Sequence, residues 1–346
     1  MYLFFSDLHC HNWPQFSTRL ANGLNSRFQD CLNILDQAAT IVQQYHVQHV
    51  FFLGDLFESR TKIDIDVWNK TWQAMKRLTE VTPQRVWLLK GNHDCHDKIG
   101  SVHSLEHFRP LCEVIAKPWV CLPIANAHIA AFPYTDDVAT LKQQLAELTS
   151  VDLVLLHQSI REGTIGPYSR TIAAELSLSD LPMDRTRYVF AGDYHKRQFF
   201  GPDNRVHYIG SPLQLKSDEA GEEKGFTLVD PATWQLYTVP SVAPRFCLFE
   251  TPRAAEIAID EQQVDTERDF VRVRYESSDA AAAERLKDSF PSIQLDRQRP
   301  QRQPLARTTA AVTTDDRALV TEYVQQRNTN YDQQRLIDVG MQLLTS

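Results

Sequence analysis

The chain has 346 residues, 42% of them hydrophobic, and a formal charge of −8 at pH 7. That length predicts one large domain plus a smaller one, and the acidity excludes a protein that coats nucleic acid through overall basicity. Six cysteines without a C-x-x-C pair exclude a disulfide framework, and no signal-like or membrane-spanning apolar run occurs, so a soluble, cytoplasmic protein is expected.

The chain opens with the apolar run "MYLFFSD", which delivers Asp7, His9 and His11 in a D-x-H-x-H tip. Such a tip suits more than one kind of metal site and does not discriminate by itself. In "FQDCLNILDQAATIVQQYH", Cys31, Ile34, Leu35, Ala38, Ile41 and Val42 fall on one helical stripe. "HVFFLGD", the helical "DVWNKTWQAMKRLTEV" and "RVWLLKGNHD" follow. This order predicts parallel strands joined by crossovers, with the polar residues at their carboxyl ends gathered along one edge.

From about residue 119 the strands have shorter connections: "WVCLPI", "AHIAAFPY", "VDLVLLHQ", "RYVFAGDYH", "VHYIGSP", "GFTLVD" and "QLYTVP", interrupted by the helix "VATLKQQLAELT". They predict a second sheet packed on the first, with helices outside both, and a unit that closes near residues 240–244. "RFCLFET", "FVRVRYE" and "IQLDRQ" as strands and "AAEIAIDEQQ" and "DAAAAERLKDSF" as helices make a small α+β domain. A polar stretch rich in Arg, Gln and Pro reads as a linker. Two helices end the chain, with apolar stripes at Leu319, Val320, Tyr323 and Val324 and at Leu336, Ile337, Val339 and Leu343. Those stripes either pack back on the body or dock on a partner.

Five strand tips offer ligand atoms: Asp7 with His9, Asp55 in "GDLFE", Asn92 with His93 in "GNHD", His157 in "LLHQ", and Asp193 with His195 in "GDYHK". Carboxylate and amide oxygens suit Mn²⁺ or Mg²⁺, and the imidazoles widen the choice to Fe²⁺ or Zn²⁺. Mixed oxygen and nitrogen donors without thiolates favour a catalytic over a structural site.

The order D-x-H, G-D, G-N-H-D, H, G-x-x-H resembles the calcineurin-like metallophosphoesterases. The resemblance implies an α/β fold, a four-layer α-β-β-α sandwich, and two divalent metals, Mn²⁺ foremost and Mg²⁺ as the alternative, that share Asp55. Asp7, His9, Asp55 and His195 would hold one, and Asp55, Asn92, His157 and Asp193 the other. His93 would serve the transition state or the leaving oxygen, with Asp94 orienting it, and His11 would not be a ligand. Two departures stand out. The last motif is usually G-H-x-H, and Asp193 occupies its first histidine position; Glu58 stands where many relatives carry a histidine, and reads as an ordinary exposed acid.

"LLHQSIREG", "SDLPMDRTRYVFAGDYHKR" and "VHYIGSPLQLKSDEAGEEKGFTLVD" further resemble the SbcD-like nuclease subunit of double-strand-break repair complexes and its phage counterparts. That resemblance implies a Mn²⁺-dependent DNA exonuclease and endonuclease, a homodimer, working with an SbcC-like coiled-coil ABC-type ATPase. The implied layout is a nuclease domain at 1–242, a DNA-positioning capping domain at 243–298, a linker at 299–314 and an ATPase-docking helical segment at 315–346. Arg60, Lys62, Lys196 and Arg197, beside the metal motifs, are candidate phosphate contacts. Competing readings are a stand-alone phosphatase or cyclic-nucleotide phosphodiesterase, which needs no extra domain, and a non-catalytic scaffold with a decayed metal site, suggested by Asp193.

Overall fold

Tyr2–Phe5 forms β1, and its four side chains alternate between two buried faces. Leu3 and Phe5 join one apolar cluster and Tyr2 and Phe4 another, so both sides of this strand must be covered. The computed structural model describes residues 1–97, 102–120, 124, 127–166, 170–171, 173–298, 316–326 and 332–344. These fall into two compact units, Met1–Tyr275 with Asp279–Asp296, and Glu276–Ser278 with Arg297–Ser346.

In the first unit α1 (Ser26–Gln44) is capped by Asn25, whose side chain accepts the N–H groups of Arg27 and Phe28. There follow β2 (His49–Phe52), α2 (Ile65–Val81), β3 (Arg85–Leu89), β4 (Glu113–Ile115), β5 (Trp119–Val120), β6 (Ile129–Phe132), α3 (Val138–Glu147) and β7 (Val151–His157). A two-stranded ribbon, β8 (Thr164–Ile165) with β9 (Arg170–Thr171), precedes β10 (Thr186–Gly192), β11 (Gln198–Phe200), β12 (Val206–Tyr208), β13 (Gly225–Val229) and β14 (Leu236–Pro240). The predicted stripe on α1 is buried at every one of its six positions.

Two six-stranded sheets result, ordered β14-β13-β1-β2-β3-β4 and β11-β12-β10-β7-β6-β5. Strands β1 to β4 run parallel, as do β6, β7, β10 and β12. Phe4, Phe51, Leu153 and Phe190 fill the space between the sheets, where Phe4 stacks on Phe51 at 4.9 Å and meets Phe190 edge-on at 5.0 Å. Leu3, Phe5, Phe52 and Leu88 face α1 and α2, and Val154, Leu156 and Val189 face α3. The layers are therefore α-β-β-α.

One expectation is corrected. "GFTLVD" and "QLYTVP" do not join the second sheet; β13 pairs antiparallel with β1, Tyr2 opposite Val229, and β14 with β13. Alternation along β13 serves both covered faces, with Phe226 and Leu228 toward α1 and Val229 between the sheets. Strands β4 and β11 were not anticipated, being three residues each. Residues 121–123 of "WVCLPI" and the linker 299–314 lie outside the described residues.

The same unit carries β15 (Phe246–Phe249), α4 (Pro252–Asp260), β16 (Phe270–Tyr275), α5 (Ala280–Ser289) and β17 (Gln294–Arg297). They form a small sheet ordered β15-β16-β17 over a core of Ala255, Val271, Val273, Leu286 and Ile293. In the second unit, α6 (Asp316–Gln326) packs on α7 (Gln333–Leu344). Val324 and Ile337 are buried and Arg317 pairs with Asp338 at 3.2 Å. Tyr323 and Leu343 remain exposed, at 53% and 73%. Among the described residues no helix is long and apolar enough to cross a membrane.

Candidate metal centre

The tips of β1, β2 and β3 from one sheet and β7 and β10 from the other meet at one edge. Asp7, His9, Asp55 and Asp193 all take left-handed backbone, with φ of 53°, 48°, 60° and 92°. Such conformations cost about 1–3 kcal/mol each in non-glycine residues and persist where the surroundings over-determine them. Here the surroundings are backbone bonds between tips: Asp7 N–H to Gly54 O at 2.9 Å, and Leu8 and His9 N–H to Asp55 O at 3.0 Å.

Donor atoms of Asp7, His9 and His195 converge, as do those of Asp7, Asp55 and His157, each set within 4.8 Å. His9 Nε2 lies 3.2 Å from His195 Nε2 and 3.5 Å from Asp55 Oδ2. His157 Nε2 lies 3.5 Å from Asp55 Oδ1 and 3.0 Å from Asn92 Oδ1. The other imidazole nitrogens are fastened from behind, which turns Nε2 into the cluster. His157 Nδ1 contacts Leu53 O at 2.6 Å, and His195 Nδ1 contacts Glu219 Oε1 at 2.9 Å.

Charge is compensated inside the cluster. His9 is buried, which disfavours its charged form, yet Glu58, Asp55 and Asp7 raise it to about 9. His157 is likewise opposed by burial and raised by Asp55, Asp7 and Asp193 to about 10. Asp55, despite burial, is held far below the ordinary carboxylate range by His157, His9 and His93. Glu219 is penalised by burial but lowered to about 2 by His195 and Lys224, whose Nζ is 2.7 Å away.

Whether these residues fit divalent cations is tested by Asn92. With its oxygen inward, the amide faces the acceptors His157 and Asp55 and turns its nitrogen to Arg60. Rotated, its nitrogen donates to His157 Nε2 and Asp55 Oδ2 and its oxygen accepts from Arg60 Nη2, each at 3.0 Å. A cation among these atoms selects the inward oxygen, whereas the Asp55 carboxylate by itself favours the inward nitrogen. The donor set of carboxylates, one amide and imidazoles on strained strand tips fits such ions.

Each sequence-predicted residue has a definite place. Asp7, His9, Asp55, Asn92, His157 and His195 come together as described. Asp193 stands beside them: its N–H donates to Asp7 Oδ1 at 3.1 Å, and its carboxylate accepts from Ser159 Oγ at 2.5 Å. Burial raises its pKa, with Asp55 and Asp7 adding to the effect. His93 packs edge-on to His9 at 4.8 Å, with Nδ1 2.7 Å from Glu58 O and its side chain partly open. His11 packs against Trp13 and lies in none of the described donor clusters.

Three expectations need correction. Asp94 does not sit behind His93; it is buried, and its carboxylate accepts the backbone N–H groups of Asp55, Leu56 and Gly91 at 2.9–3.1 Å. A short carboxylate cannot both clamp these loops and reach the His93 ring. Glu58 is not an ordinary exposed acid, because its Oε2 is 2.7 Å from His9 Nδ1 and 3.5 Å from His93 Nδ1. Arg197 is turned into the first sheet, donating to Thr227 at 2.9 Å and Thr238 at 3.4 Å, which leaves it no reach to a phosphate. Arg60 and Lys62 are exposed. Lys196 lines a cleft of about 250 Å³ with Asp193, His195 and Lys216.

Sequence reasoning missed Glu58, Ser159 and Glu219 as members of this site. Glu219 lay within the segment that carried the family likeness, but no local signal marked it as the partner of His195.

A layered sandwich with carboxylate, amide and imidazole donors gathered at its strand ends defines a metal-dependent phosphoester hydrolase. Residues 2–197 match the profile of the calcineurin-like phosphoesterases, and the chain belongs to that family. The SbcD subunit of the nuclease SbcCD from Bacillus subtilis (strain 168) is 23% identical over 280 residues, covering 68% of this chain and 70% of that protein. Among solved structures, a dimetal phosphatase from Danio rerio covers 65% of this chain and 90% of its own length at 10% identity, with a TM-score of 0.40. Pseudomonas putida nuclease MPE covers 69% and 87% at 14% identity, with a TM-score of 0.29.

Proposed function

We propose that the chain is a DNA nuclease that hydrolyses phosphodiester bonds with two divalent ions, Mn²⁺ foremost, and works as the nuclease subunit of an SbcC-like ATPase complex. The observation that carries the hydrolytic part is the convergence of His9, His157, His195 and Asn92 around the Asp55 carboxylate. The choice of DNA and of an ATPase partner is supported by the likeness to a subunit of the nuclease SbcCD, which covers more of the chain than the family profile does.

On this reading Asp7, His9, Asp55 and His195 hold one ion, and Asp55, Asn92, His157 and Asp193 the other. When bound, the ions supply the positive charge that acidifies water and offsets charge on the phosphate oxygens. The side chains do the rest. The Glu58 carbonyl fixes the His93 ring through Nδ1, and the partly open ring would give a proton to the leaving oxygen. Arg60, Lys62, Lys196 and Lys216 take the flanking phosphates. Residues 1–242 form the nuclease domain, 243–298 the capping domain, 299–314 the linker and 315–346 the ATPase-docking helices of a homodimer in the cytoplasm.

The test is linear duplex DNA incubated with the purified chain and Mn²⁺, beside His93→Ala. Cleavage by the wild type and loss of roughly 10²-fold or more in the variant are expected. Hydrolysis confined to small phosphoesters would replace this reading with a phosphatase.

A further inference from the structure

Arg27 opens α1 and is 2% exposed. Its guanidinium carbon lies 5.2 Å from the Trp13 ring, 5.4 Å from Phe246 and 5.1 Å from Phe270. Its Nη2 donates to the carbonyls of Gln214 at 3.2 Å and Leu215 at 2.9 Å. Burying a guanidinium is costly unless it is paired, and here three aromatic faces and two carbonyls on Nη2 compensate it in part, Nε having no hydrogen-bond partner among the described residues. Two walls of this cage, Phe246 and Phe270, belong to the small domain.

The other contacts lead to the metal donors. The Leu215 N–H donates to Glu219 Oε2 at 3.2 Å, and Glu219 Oε1 fastens His195 Nδ1. Trp13 Nε1 donates to the His9 carbonyl at 3.3 Å. Gln214, whose carbonyl Arg27 holds, also accepts the Phe246 N–H through its side chain at 2.5 Å. Both histidines assigned to the first ion are thus braced from one cage, whereas His157 is fastened by Leu53 and the Asp55 loop by Asp94.

We infer that Arg27 is a positioning residue through which the seating of the small domain sets the first of the two metal positions, reaching the second only through the shared Asp55. This rests on the metal-centre reading above. The small domain then does more than present a surface: any load that shifts Phe246 and Phe270 is felt at His195 and His9.

Mn²⁺ binding to the full-length chain, measured by titration calorimetry, tests the link without reference to turnover. Arg27→Met keeps an apolar stem among the rings but removes both donors. One of the two Mn²⁺ sites is expected to weaken at least about tenfold, as for outer-shell partners of metal ligands, while the other stays within about twofold. Arg27→Lys, whose ammonium keeps the charge and N–H donors but not the planar guanidinium, restores part of the loss. If Arg27→Met does not accumulate as folded protein, Phe270→Leu probes the same link from the small domain and is expected to weaken the same site. Two-site uptake unchanged in the folded variant, or both sites weakened together in step with Tm, overturns the inference alone. A wild-type chain that takes up no Mn²⁺ overturns the metal-centre reading and this inference with it.

Discussion

The Asp94 carboxylate accepts the backbone N–H of Asp55 at 2.9 Å, so one buried acid fixes the loop that presents another. The same group takes the N–H groups of Leu56 and Gly91, which makes it the clamp between the tips of β2 and β3. Asp94→Ala leaves these donors buried without partners, at about 1–3 kcal/mol each. The expected loss is roughly 3–5 kcal/mol in urea unfolding, with Asp94→Asn intermediate because one oxygen remains.

Gly54 has φ of 101°, and a Cβ there would lie 2.1 Å from His157 Nδ1. Gly54→Ala therefore meets both an unfavourable backbone and the ring that has to stay fixed on Leu53 O. Metal content after dialysis, read by elemental analysis, is expected to fall from two ions toward one per chain, because His157 is assigned to the second ion alone. Full occupancy in that variant would show that His157 need not hold its present place.

The strand tips were legible because each candidate donor or pair of donors follows an apolar run at short spacing, and that pattern survives in one dimension. Asp7, His9, Asp55, Asn92, His157 and His195 could therefore be read before any contact was known. The supports could not. Glu219 reaches His195 across 24 positions and Arg27 reaches Leu215 across 188, and nothing local marks either as a partner. Sheet membership was equally hidden: alternation told that β13 was a strand, but not that its neighbour would be β1. Asp94 was misplaced for the opposite reason, since adjacency to His93 in sequence suggested a contact that the turn at "GNHD" directs elsewhere.

The raised pKa values of His9, about 9, and His157, about 10, fix the sign of a pH effect. In the metal-free chain these imidazoles gain protons relative to the unfolded state. The stability they contribute is complete below the ordinary histidine value of about 6.5 and is lost as pH rises through about 9 to 10. Metal requires neutral imidazole and so competes with those protons. Between pH 6 and 9 the difference in Tm between Mn²⁺-loaded and EDTA-treated protein is expected to widen. Calorimetry in two buffers of different ionisation enthalpy is expected to show roughly one proton released per imidazole. A gap that does not change with pH would mean the histidines are neutral before metal arrives.

Asp193 replaces the histidine usual at its position, and Ser159 holds its carboxylate at 2.5 Å. On the proposed assignment of Asp193 to the second ion, an oxygen donor adds negative charge and removes an imidazole, which would favour Mn²⁺ or Mg²⁺ over Zn²⁺ there. Burial and the neighbouring Asp55 and Asp7 resist that extra charge, while His157 and Ser159 favour it, and cations beside the carboxylate would favour it further. Asp193→Ala is then expected to abolish metal-dependent hydrolysis. Asp193→His is expected to raise Zn²⁺ retention over Mn²⁺ by about tenfold or more in competitive dialysis, the size of a typical change in a ligand shell. Ser159→Ala separates the two contributions: it leaves the carboxylate in place but frees its second oxygen, and a shift in selectivity smaller than that of Asp193→His is expected. If Asp193→Ala retained both turnover and metal selectivity, the carboxylate would be a structural partner of Ser159 and no part of the metal centre.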